Sequence, residues 1–208
     1  MKLYLSSYKI GDEGRRLAEM VDGRSVAVIS NALDCYLDLE RRKKSEQEEI
    51  KALGLLGLQS EVVDLRDFFN KKEKLKDRLS NFGAVWVRGG NVFVLRVAVS
   101  NSGFDEIVQE KSKDKNFLYA GYSAGSCLLS PSLKGFEIVD DVSQVENTYP
   151  GEAVIWNGLG LIDFVFVPHY RSNHSESPAI EKEVEYLKKN NVVYKTFSDG
   201  EVYISNTK

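Results

Sequence analysis

Cysteine is scarce in this sequence. Two residues, Cys35 and Cys127, occur among 208 and show no CxxC spacing, which argues against a disulfide framework or a zinc knuckle. Both read as buried small apolar residues. Charge of one sign is scarce as well. The formal net charge is −3, spread over interleaved acids and bases, and leaves no electrostatic footprint for a phosphate backbone or an anionic bilayer. Neither nucleic acid nor a membrane surface is expected as a partner. Long apolar runs are missing too. The opening MKLYLSSYKIGDEG turns polar after about five residues, too soon for a signal-peptide apolar region, and no later run approaches the roughly 20 residues of a membrane span. The expected location is the cytoplasm. No internal repeat, low-complexity tract or linker interrupts the chain. Neither GxGxxG nor GxxxxGK[ST] occurs, so the dinucleotide and P-loop fingerprints are absent.

What is present is an alternation. Short apolar runs rich in β-branched and aromatic residues recur: KLYLSS, SVAVISN, EVVDL, AVWVRGG, FLYAGYS and FVFVPHY. Nearly continuous apolar character marks strands covered on both faces. Between them, LDLERRKKSEQEEIKALGLLG predicts a long helix with a charged outer face, broken near Gly54 and Gly57, and KKEKLKDRLSN a shorter one. The charge run Glu40 to Glu49 reads as a solvated helix face. Residues 134–158 lack a period and predict hairpins or loops over one end of the sheet. SESPAIEKEVEYLKKN then resumes helical spacing, and VVYKTF and EVYIS are two late strands joined through an SDG turn. The sum is one α/β domain over residues 1–208, a mostly parallel sheet with helices on both faces.

Gly121, Ser123 and Gly125 form GxSxG. A nucleophile at a sharp strand-to-helix turn needs small residues two before and two after it, so that the helix packs close while the hydroxyl projects outward. An N-capping serine in an ordinary βα turn is the competing reading. The Ala124 amide, next in the chain, would point from a helix start at a developing oxyanion. Histidine is as rare as cysteine: only His169 and His174 occur, so a serine activated by imidazole must use one of them. His169 follows FVFVP at the carboxyl end of a strand, where open α/β sheets place their ligand sites. His174 falls in the polar RSNHSES segment, suited to solvent or substrate. The acid that would orient the imidazole is open. Asp199 in the SDG turn is preferred, and Asp140 and Asp141, in the loop after the nucleophile, compete. A second glycine element, Arg88-Gly89-Gly90-Asn91, lets backbone amides approach a ligand and could supply another oxyanion donor; a plain tight turn uses the same residues.

RGGN before a helix, GYSAGS, VPHY and the late SDG, in that order and at similar intervals, resemble the dipeptidase E family of serine peptidases, the aspartyl dipeptidases, whose relatives include cyanophycinase. The resemblance spans Ala84 to Ser205. It implies a three-layer sandwich like that of class I glutamine amidotransferases, with serine where those enzymes carry cysteine. It also implies Ser123 as nucleophile, His169 as general base, and the amides of Gly90 and Ala124 as the oxyanion hole. Structures of the family carry glutamate at the position of Asp199, so the shorter acid would have to sit nearer the histidine. The family's preference for an N-terminal aspartate calls for a cation, with Arg171 and His174 as candidates and Arg88 as a third. The expected protein is a serine exopeptidase acting on short peptides through an acyl-enzyme, monomeric or homodimeric, with no metal or cofactor. The alternative is a non-catalytic binding protein on the same scaffold.

Overall fold

The fold is given by a computed structural model in which residues 1–206 are described. Sixteen elements follow in chain order: β1 (Lys2–Ser6), α1 (Gly14–Val21), β2 (Val26–Ile29), α2 (Leu39–Leu55), β3 (Ser60–Val62), α3 (Lys72–Ser80), β4 (Ala84–Val87), α4 (Val92–Ser102), α5 (Phe104–Lys111), β5 (Leu118–Tyr122), α6 (Ala124–Cys127), α7 (Gln144–Thr148), β6 (Val165–Val167), α8 (Ser177–Lys189), β7 (Tyr194–Thr196) and β8 (Val202–Asn206). The main sheet has the order β3-β2-β4-β5-β1-β8. Its strands pair in parallel, except that β8 lies antiparallel to β1. β6 and β7 form a separate parallel pair. The predicted α/β class with a mostly parallel sheet is the observed one. No helix among the described residues is long and apolar enough to cross a membrane.

Strand periodicity sorts side chains to two cores. Leu3, Leu5, Ala27, Ile29, Val85, Val87 and Tyr119 face one side, where α4 and α5 pack. Tyr4, Val26, Val28, Trp86, Ala120 and Tyr122 face the other, against Leu17 and Met20 of α1 and Leu53 of α2. Trp86 is fully buried, and each large apolar side chain so placed contributes roughly 1.5–3 kcal/mol. Helix ends follow local chemistry. The Asp38 carboxylate accepts from Arg41 N at 3.0 Å to start α2, and the Asn91 side chain accepts from Phe93 N and Val94 N at 3.0 and 3.1 Å to start α4, each offsetting amides that have no partner inside the helix. Gly103, at φ 75°, ends α4 in the left-handed conformation that glycine tolerates.

Several expectations change in detail. Helix α2 runs through Gly54 and ends at Leu55, with Gly57 taking the left-handed φ of 77°. Its charged run is not all solvated: Arg42 and Glu49 are buried, because seven residues make about two turns and place both on the inward face. There the Arg42 guanidinium pairs with Asp34, Glu46 and Asp64. Cys127 is buried as expected, but Cys35 is partly exposed. Of the hairpins or loops expected for residues 134–158 the loops are found, with a short 3-10 turn at Phe136–Ile138, helix α7 and an isolated bridge from Asn157 back to Ser132.

One buried group sets a pH dependence. Glu183 on α8 is fully buried, and among the described residues neither carboxylate oxygen has a hydrogen-bond partner. Burial, with Asp140, Glu137 and Glu176 nearby, pushes its carboxyl from 4.5 up to about 8. The folded chain therefore keeps this proton while the unfolded chain releases it, and stability falls as pH rises from about 4.5 to about 8. Glu183→Gln is expected to flatten that fall and to raise the thermal midpoint at pH 8, measured by circular dichroism melts across the pH range.

Candidate active site

Ser123 stands between β5 and α6 at φ 48° and ψ −121°, a conformation that a residue with a side chain keeps only when its surroundings enforce it. They do so through the backbone. Its amide donates to Ser6 O of β1 at 3.2 Å, and its carbonyl accepts from Ser126 N and Cys127 N at 2.8 and 2.9 Å. The Ser126 hydroxyl lies 3.0 Å from both Ser6 O and Gly121 O, and the Tyr119 hydroxyl donates to Gly125 O at 2.8 Å. A Cβ added at Gly121 or Gly125 would lie 2.7 or 2.0 Å from the Val87 carbonyl oxygen. That is why glycine occupies both places.

Beneath the turn lies a residue that sequence reasoning missed. Glu49 of α2 accepts from the Tyr122 hydroxyl at 2.6 Å and from Trp86 Nε1 at 2.9 Å, and Arg88 Nε approaches it at 3.5 Å. Burial raises the Tyr122 phenol well above its ordinary value, so it stays a neutral donor. The helix period, which puts Glu49 on the same face as Leu53, was the available signal.

The RGGN segment leaves β4 beside this turn. Gly89 packs so that an added Cβ would lie 2.8 Å from Ser123 Cβ, and Gly90, at φ 145°, would meet Ala32 O at 2.5 Å. Among the described residues, no hydrogen bond takes up the amide of Gly90 or of Ala124. Arg88 Nη1 donates to Gly89 O at 2.7 Å and Nη2 to Ser45 Oγ at 2.6 Å.

His169 follows β6 and Pro168 at φ 56°. Its side chain is 1% exposed. The amide donates to Ser7 Oγ at 2.8 Å, and Nδ1 lies 2.7 Å from Asp199 Oδ1. The Ser7 hydroxyl, just past β1, is itself within 3.1 Å of both Asp199 Oδ1 and Phe197 O. Asp199 is held in turn, its amide donating to Ser172 Oγ at 2.7 Å. The SDG stretch forms the expected turn, with Glu201 N donating to Ser198 O at 2.9 Å. Ser7 gave no signal in the sequence beyond its place after a strand. Burial lowers the imidazole pKa below its ordinary value; Asp199 pulls the other way, and His174 adds to the lowering.

The remaining predicted residues divide. His174 stacks on His169, ring centroids 3.8 Å apart and planes 7° from parallel, and Tyr8 meets both rings edge-on. Arg171 approaches Glu181 at 3.6 Å and lies beside Tyr170, outside the lining of the cleft. Asp140 accepts from Val92 N at 2.7 Å at the start of α4, where burial pushes its carboxyl up to about 7. Asp141 accepts from Ser143 N in its own turn. The structure gives neither a contact with His169. Ser123, His169, His174, Gly89, Gly90, Arg88, Tyr8 and Glu176 share one open cleft of about 180 Å³. A neighbouring pocket of about 350 Å³, reached past Arg88 and Gly90, is bordered by Arg41, Lys44 and Ser45.

Comparison with known proteins bears on this arrangement. The sequence model of peptidase family S51 matches residues 38–205. Among curated proteins, an uncharacterized peptidase of Listeria monocytogenes is 28% identical over 142 residues, 68% of this chain and 65% of its own length. One of Listeria innocua is 30% identical over 122 residues, 59% of this chain and 54% of its own. The aligned part of the chain thus spans less than two thirds of either relative. A crystal structure of a candidate peptidase E protein from Listeria monocytogenes EGD-e superposes with a TM-score of 0.74 at 23% identity, covering 100% of this chain and 98% of that one. A peptidase from an acI-B1 actinobacterium gives 0.63 at 16%, with 88% and 74% covered. At these identities the two structures speak to the fold alone.

The tight approach at the serine turn is open to a direct test. Gly125→Ala places a methyl against the Val87 carbonyl, which the sheet cannot move without cost, and is expected to destabilise the fold by about 2 kcal/mol or more. Urea unfolding midpoints of the variant and the parent protein measure it.

Proposed function

The chain belongs to peptidase family S51, and from that premise we propose that it is a serine exopeptidase hydrolysing short peptides, with Ser123 as nucleophile, His169 as general base and Asp199 as the orienting acid. The observation that carries the reading is the convergence of a strained serine turn and a buried, carboxylate-linked imidazole on one cleft.

The Asp199 carboxylate fixes the proton of His169 on Nδ1, which leaves Nε2 free to take the Ser123 proton as the hydroxyl attacks the scissile carbonyl. The amides of Gly90 and Ala124, which meet no acceptor among the described residues, stabilise the oxyanion. The leaving amine takes the proton back from Nε2, and water then hydrolyses the acyl-enzyme by the same route in reverse. Because burial holds the imidazole below its ordinary value, the base is already neutral at pH 7. Activity therefore falls only as pH drops through that lowered value, when the imidazole gains its charge. Substrate preference follows from the wall. Arg88 borders both the cleft and the neighbouring pocket, with Arg41 and Lys44 beyond it, which favours a substrate carboxylate and supports N-terminal Asp-Xaa dipeptides. Arg171, outside the lining of the cleft, is the weaker candidate for that cation, and His174 lines the cleft.

Ser123→Ala and His169→Ala are each expected to lower kcat by about 10³-fold or more, because such residues act as a unit. Asp199→Asn is expected to cost a comparable factor with binding retained. A dipeptide library with varied N-terminal residues should rank Asp-Xaa first. Near-parent turnover by either the serine or the histidine variant overturns the assignment, as does failure of a serine-directed phosphonate to label the folded protein.

A further inference from the structure

The Glu176 carboxylate, partly exposed, faces both histidines. It lies 3.9 Å from His169 Nε2 and 4.0 Å from His174 Nδ1. Among the described residues it has no lysine or arginine partner and accepts no hydrogen bond. It is 43% exposed at the mouth of the cleft. The three side chains together offer two imidazole nitrogens and one carboxylate oxygen, all within 4.8 Å of one another.

We propose that His169, His174 and Glu176 form a binding site for a zinc-like divalent cation, and that the bound ion blocks the active site by occupying His169 Nε2.

The donor set argues for the ion. Two imidazoles and a carboxylate suit zinc, whereas calcium and magnesium take oxygen ligands. Donors around tetrahedral zinc stand about 3.4 Å apart. The carboxylate stands 3.9 and 4.0 Å from the imidazole nitrogens and the three donor atoms lie within 4.8 Å of one another, so the carboxylate must close by about half an ångström and the two rings by up to about 1.4 Å. Parallel rings cannot aim two lone pairs at one ion, so one imidazole must tilt. His169 is fixed by Asp199 and Ser7. His174 has one long side-chain hydrogen bond, from Glu176 N to its Nδ1 at 3.3 Å, beside its ring contacts with His169 and Tyr8, and is the ring that must move. The surroundings of His169 already have the form that a metal-bound histidine takes, with the second ring nitrogen bonded to a carboxylate that fixes the tautomer and raises ligand basicity. All three residues line the open cleft, which leaves a fourth ligand to come from water.

Binding is a property of the three side chains alone. Inhibition rests on the serine-peptidase reading, because it consists in removing the base's lone pair. Competition with a chromogenic chelator measures zinc binding without reference to activity. The parent protein is expected to take up one zinc ion with a Kd of about 10 µM or tighter. His174→Ala and Glu176→Gln, both at the partly exposed mouth, should each weaken it about tenfold or more, while Ser123→Ala binds as the parent does. If dipeptides are hydrolysed, the same zinc concentrations should abolish turnover, and a chelator should restore it. Absence of zinc uptake up to about 100 µM, or uptake unchanged in both variants, overturns the site. Uptake without any hydrolysis keeps the site and removes the peptidase reading instead.

Discussion

The Val87 carbonyl oxygen stands where a side chain at Gly121 or Gly125 would have to go, and the arrangement of the cleft depends on that contact. It lets the start of α6 press onto the carboxyl ends of β4 and β5, which turns Ser123 outward at a positive φ. The closeness passes along the sheet. Gly89 packs against Ser123, and Gly90 against the carbonyl of Ala32 beyond β2. Three strand ends are thus locked together at glycines that have no room for a side chain of their own. Such contacts cannot loosen gradually, since close-packed interiors transmit displacement rather than absorb it.

The second half of the cleft is assembled from parts distant in the chain. His169 leaves the small β6–β7 sheet, Asp199 comes from the turn before β8, and Ser7 follows β1. The antiparallel pairing of β8 with β1 brings the last of these segments to the first. A single hydroxyl, that of Ser7, then touches both the backbone amide of the histidine and the carboxylate beside its ring. Burial and the carboxylate act on the imidazole in opposite senses, and burial prevails. The result is an imidazole whose uncharged form is favoured and whose Nδ1 is tied to a carboxylate. The proposed roles of His169 as base and as metal ligand rest on the same two facts, a carboxylate behind Nδ1 and an Nε2 with no hydrogen bond among the described residues.

Much of this was legible from residue order. Strands covered on both faces show unbroken apolar runs, which is why the alternation of β and α read correctly. The turn at Ser123 announced itself because only small residues fit beside it, and two histidines left little choice of base. Interior acids were harder to read. The run from Glu40 to Glu49 looks uniformly solvated by composition, yet Arg42 and Glu49 are seven apart and share the inward face, where Trp86, Tyr122, Asp34 and Asp64 receive them. Aperiodic residues 134–158 gave no period to read, and they fold mostly as turns around α7.

By itself the sequence determined the α/β alternation, the serine turn, the glycine loop and the pair of candidate imidazoles, because each is written in local sterics or in the scarcity of a residue type. Only the tertiary structure decided which acid meets His169 Nδ1, that Ser7 and Glu49 support the cleft, and that Glu176 faces both histidines. Those are contacts between residues 30 to 192 positions apart or across a loop whose path no periodicity encodes. Strand order and the β1–β8 pairing, set by packing of the whole chain, bring them within reach.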